Sequence, residues 1–69
     1  MTMQIKTGQE LKTSRKALGM SQERFAHCAA VTRNTVYNWE QHDKLPFIVG
    51  LGLGELVIRL SSKEANHEP

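Results

Sequence analysis

Along the first forty residues, apolar positions recur at helical spacing. Leu11, Arg15 and Leu18 share one face at i, i+4 and i+7, and Phe25, Ala26 and Ala29 repeat the one-face pattern. Each run follows a start signal. Thr7 to Glu10 reads Thr-Gly-Gln-Glu, a capping box in which Glu10 can reach back to the cap, and Gly19 closes the helix it opens. Ser21 is an N-cap with Met20 and Phe25 spaced as a hydrophobic staple. Thr32 repeats the device with Val31 and Val36. Ser21 to Glu40 is therefore expected to form two short helices joined by a tight turn, the second starting at Thr32.

Two features of this pattern are unusual. Arg15 sits on an apolar face, where a charge must find a partner because burying it alone costs several kcal/mol. The helix after Thr32 turns Val36 and Trp39 to the core side, with Glu40 at i+4 from Val36. Its opposite face carries Asn34, Tyr37, Asn38 and Gln41 at i, i+3, i+4 and i+7. Those are neutral hydrogen-bonding groups rather than the Lys/Glu mixture of a merely solvated face. Amides can pair bidentately with adenine edges, and Arg33 can read guanine or hold a phosphate; a plain polar surface is the competing reading.

The last element, Pro46 to Leu60, is PFIVGLGLGELVIRL. Wound as a helix, it sets Phe47, Leu51 and Ile58 on one stripe and Val49, Leu53, Leu56 and Leu60 on another at the far side. Gly52, Glu55 and Arg59 make a polar strip. A helix apolar on two sides in so small a chain calls for two neighbours, its own domain and a second copy. Gly50 and Gly54 are expected to allow close helix approach there. A strand is the rival, since GLGLG alternates with period two and glycine disfavours helices by roughly 1 kcal/mol each, but it would have no partner strand. From Ser61 onward, SSKEANHEP is polar and expected to fray as a flexible tail, 61–69.

Sixty-nine residues suit one small domain, 1–60, with 47–60 as a dimerisation helix. Cys28 is the single cysteine, so no disulfide forms within the chain, and a reducing, cytoplasmic setting is expected. No apolar run approaches the ~20 residues of a membrane span, and MTMQIKTGQE does not read as a signal peptide. Net charge is +2 but uneven: residues 1–30 hold five Lys/Arg against two Glu, giving +3, and residues 46–69 hold two against three Glu, giving −1. A basic front suits a polyanion partner. His27, His42 and His67 are dispersed, so neither a metal site nor a catalytic constellation is expected, and no cofactor is called for. GLGLG lacks the lysine and context of a phosphate loop.

Residues 7–46 resemble the phage-repressor (Cro-like, lambda-repressor-like) helix-turn-helix family. The shared residues are Leu-x-x-x-Arg in the first helix, Leu-Gly-Met-Ser-Gln, Ala26 at the tight contact, Val-Thr at the second turn, and Val-Tyr-x-Trp-Glu. The resemblance implies an all-α bundle of about four helices whose second motif helix enters the DNA major groove. It implies that Gln22 touches a phosphate or braces that helix, and that Thr32, Arg33, Asn34, Tyr37 and Asn38 face DNA. It also pairs Arg15 with Glu40. Two departures stand out. Ala30 occupies a turn position that is glycine in the family, which costs about 1 kcal/mol if left-handed. Gln41-His42-Asp43 replaces the glycine that follows Trp-Glu.

The function these observations favour is a homodimeric repressor of its own or a neighbouring promoter, binding an inverted repeat, nucleoid-associated, and at home in a phage or mobile element. Phosphate contacts are expected from Gln22, from Arg24 or Lys44, and from backbone N–H groups. The expected dimer surface is Val49, Leu53, Leu56 and Leu60. The alternative is an antitoxin or adaptor whose chief role is protein–protein interaction.

Overall fold

A computed structural model describes residues 3–65, which are all-α: α1 (Gly8–Ala17), α2 (Gln22–Ala29), α3 (Arg33–Gln41) and α4 (Phe47–Ala65). Three of the four starts are set by the residues the sequence marks. The hydroxyls of Thr7, Ser21 and Thr32 accept from the N–H groups of Glu10, Arg24 and Thr35 at 3.0, 3.1 and 3.2 Å, each satisfying one orphan donor of a first turn. The capping box differs in detail. Glu10 reaches past the cap and accepts from the Lys6 N–H at 2.7 Å, which fastens the incoming segment to α1.

The helix ends are equally local. α1 closes with Gly19 at φ 71, the Gly19 and Met20 N–H groups donating to the Lys16 and Arg15 carbonyls; this is a Schellman closure. α2 closes in the same manner on Ala30 at φ 60, ψ 39, with Val31 N–H donating to Ala26 O at 3.0 Å. Ala30 is thus the strained left-handed residue its departure from glycine implies. α3 ends differently: His42 turns extended, φ −85, ψ 137. An extended exit requires no glycine, in keeping with Gln41-His42-Asp43 following Trp39-Glu40.

The core is one cluster of Ile5, Leu11, Phe25, Ala26, Val36, Leu45, Leu53 and Val57. Phe25, Ile5, Leu11 and Val36 are the largest fully buried side chains, each worth roughly 1.5–3 kcal/mol of burial. Met20 and Val31, the outer members of the two staples, pack against the cluster that contains Phe25 and Val36. Gly8 lets the start of α1 press on the end of α3: a Cβ there would sit 2.5 Å from the Trp39 carbonyl oxygen, and the Gly8 N–H donates to His42 O at 2.9 Å.

α4 departs from expectation in three ways. Gly50 and Gly54 admit the chain's own extended N-terminal segment, not a helix; a Cβ at either would collide with the carbonyl of Ile5 or Met3. Ile5 N–H donates to Gly50 O at 3.0 Å, and Leu45 N–H donates to Lys6 O at 2.9 Å. Second, the stripe assigned to a second copy is partly taken up by the chain's own core: Leu53 is buried there with Val57, and Val49, Leu56 and Leu60, half-buried, pack against it. Phe47 and Ile48 are the exposed apolar residues, at 60% and 76%. Third, the helix continues through Ser61 to Ala65 rather than fraying at Ser61, while residues 66–69, including His67, lie outside the described residues. No helix among the described residues is long and apolar enough to cross a membrane.

Candidate nucleic-acid interface

The position of α3 is fixed from behind by a three-residue clamp. Arg15 Nε and Nη2 donate to Glu40 Oε2 and Oε1 at 2.6 and 3.2 Å, and its Nη1 donates to the Met20 carbonyl at 2.8 Å. Gln22 Nε2 donates to Glu40 Oε1 at 3.0 Å. The guanidinium fork thus ties α1 to α3 and to the turn before α2, while the amide ties α2 to the same carboxylate. Both ionic side chains are nearly buried, 9% exposed for Arg15 and 2% for Glu40. Burial pushes the Glu40 carboxyl up, but the hydrogen bonds from Arg15 and Gln22, with the charges of Arg15 and Lys12, outweigh it and hold the group below its ordinary value. The orphan arginine of the sequence is therefore partnered on every nitrogen.

With Val36 buried, Trp39 packed against the core and Glu40 clamped, the opposite face of α3 is left exposed. Arg33, Asn34, Tyr37, Asn38 and Gln41 are all exposed, and none of their side chains is engaged within the described residues. They form a row of donors and acceptors along one face of the helix. Thr32 begins the row, but its hydroxyl is committed to the cap and lies 2.9 Å from the Thr35 hydroxyl. Gln22 is half-buried with its amide turned toward Glu40. That bond braces α3 from α2. Arg24 is exposed in a separate shallow hollow with Ser21, Glu23, His27 and Cys28, and the structure does not bring it into the α3 row.

Beside that row runs a cleft of about 550 Å³ in which Thr35, Asn38, His42 and Lys44 surround an apolar floor of Trp39, Leu45 and Pro46. Lys44, expected from the sequence only as a phosphate contact, shares this cleft with Asn38 and His42. A second hollow, about 410 Å³, lies between the ends of α2 and α3 and the side of α4. Cys28, Ala29, Trp39, Val49, Leu53 and Leu56 line it, with Glu55 and Arg59 at its rim, 3.6 Å apart. Among the described residues no group of His, Cys, Asp or Glu is arranged to hold a metal ion. No family model, curated protein or solved structure matches the chain.

Proposed function

We propose that this chain is a sequence-specific DNA-binding transcriptional regulator, a homodimeric repressor that reads an inverted repeat through the major groove. The observation that carries the reading is the outward row of Arg33, Asn34, Tyr37, Asn38 and Gln41 on a helix clamped from behind by Arg15, Glu40 and Gln22. Base edges are distinguished by donor and acceptor patterns, and amides and guanidinium are the side chains that match adenine and guanine bidentately. A surface meant only for solvent needs neither that composition nor such bracing. Preorganisation matters because a reading helix free to rock would lose its register on the bases.

In this reading Lys44 and Arg24 hold phosphates, and the second copy is met on the flank of α4 that carries Phe47 and Ile48. Selection from a pool of random duplexes followed by sequencing gives the operator. Replacing Asn38 or Arg33 by Ala then costs roughly 1–3 kcal/mol on that site and relaxes preference at one base pair per half-site. Retained specific binding by the triple variant R33A/N34A/N38A sinks the assignment.

A second reading, an antitoxin or adaptor working by protein contact, draws on a different observation: the apolar hollow beside α4 and the exposure of Phe47 and Ile48. Exposed apolar area next to a concave surface is the usual mark of a protein-binding site. Co-purification of a stoichiometric partner, with no sequence recovered from the duplex selection, favours it instead.

A further inference from the structure

The cleft beside α3 differs in chemistry from the other hollows. Its polar residues are a hydroxyl, an amide, an imidazole and an ammonium, and no carboxylate lines it. That set suits an anion. The imidazole is also oriented: His42 Nδ1 lies 2.6 Å from the Asn38 carbonyl oxygen. A carbonyl only accepts, so Nδ1 carries the hydrogen and Nε2 is left as the free, proton-accepting end. The bond runs from His42 back to the last turn of α3, so the ring is anchored to the helix that bears Asn38.

We infer that this cleft takes a backbone phosphate of duplex DNA between His42 and Lys44, and that proton uptake by His42 strengthens the grip. The inference rests on the DNA-binding reading and adds to it a proton-linked contact. Neutral, the ring presents only an acceptor at Nε2 to a phosphate oxygen, which is repulsive. Protonated, it presents a donor and a positive charge beside Lys44. The charged groups around the ring are few. Lys44 shares the cleft, and Asp43 is adjacent in the chain but outside the lining. The start of α1, which bonds the His42 carbonyl through Gly8, brings Lys6 and Glu10, and the Glu10 carboxylate is held by the Lys6 N–H. Glu40, on the other side of α3, is engaged by Arg15 and Gln22. A bound phosphate is thus the counter-charge His42 meets in the cleft.

The test is fluorescence anisotropy of the full chain with a labelled mixed-sequence duplex of about 30 base pairs, at about pH 6 and about pH 8, because phosphate contacts act on all sequences alike. Wild type is expected to bind about 3–10-fold more tightly at the lower pH, with a salt dependence steeper by about one ion. His42→Gln should flatten the pH response, His42→Lys should bind tightly at both values, and His27→Gln should leave the response in place. Circular dichroism confirms that each variant is helical. A pH-independent wild type, or a response that survives in His42→Gln, overturns the inference while leaving the DNA reading standing. A folded wild type that binds no duplex at either pH overturns both.

Discussion

At Arg15 a charge placed among apolar residues is matched atom by atom: two nitrogens on Glu40 and the third on a backbone carbonyl. Such a pair contributes little net stability compared with well-packed apolar residues, but breaking it from one side leaves an uncompensated charge. Arg15→Met is therefore expected to lower stability by about 3 kcal/mol in urea titration, and adding Glu40→Leu to recover much of the loss. The pair also has a pH signature. Glu40 titrates below its ordinary 4.5 in the folded chain, so its stabilisation is complete above that value and is lost as pH falls through the lower, folded one. The melting temperature should drop in that acidic window, and Glu40→Gln should flatten the drop; equal slopes in both proteins would refute the clamp. The sequence exposes Arg15 as anomalous through helical spacing alone. Spacing alone does not expose Gln22 as the third member, which only the family resemblance suggests, because that contact depends on how α2 crosses α3.

At the scale of elements, most starts and stops are written in short-range chemistry, which is why α1, α2 and α3 are legible from caps and staples. α4 is legible as a helix but not in its contacts. Two-sided apolar patterning leaves open which side meets the core, and Val57, buried with Leu53, falls on neither stripe read from the sequence. The glycines explain the difficulty. Gly50 and Gly54 are one turn apart and look like a helix–helix contact, yet the extended segment from Met3 to Ile5 occupies that notch. Nothing local in MTMQIK announces that it will lie there. The three glycines should respond differently to alanine. Gly50→Ala and Gly54→Ala must displace backbone, an overpacking that costs typically 1–3 kcal/mol or more. Gly52→Ala meets open space and should raise stability by up to about 1 kcal/mol through helix propensity. Thermal melts of the three variants decide it; a destabilising Gly52→Ala would mean that something else approaches that position. The site divides the same way. The α3 row follows from periodicity, whereas the cleft with His42 and Lys44 depends on where an extended exit from α3 carries the chain.

For the whole molecule, the protomer spans 38 × 25 × 19 Å. On the proposed reading, a dimer presents two α3 helices to successive major grooves ~34 Å apart, and the operator should be an inverted repeat of about 10-base-pair spacing. The burial pattern decides how to test this. Leu53→Glu buries a charge inside the protomer and should unfold it, so loss of dimer in that variant would carry no information. Ile48, exposed in the isolated protomer, is the informative position. Sedimentation of wild type at micromolar concentration should give twice the 7.8 kDa chain mass. Ile48→Glu should sediment as a folded monomer with a native melting curve. Because a dimer reads two half-sites at once, that monomer should bind a single half-site nearly as wild type does yet lose the gain from the second. Wild type that is monomeric both free and on a full operator would refute the paired arrangement.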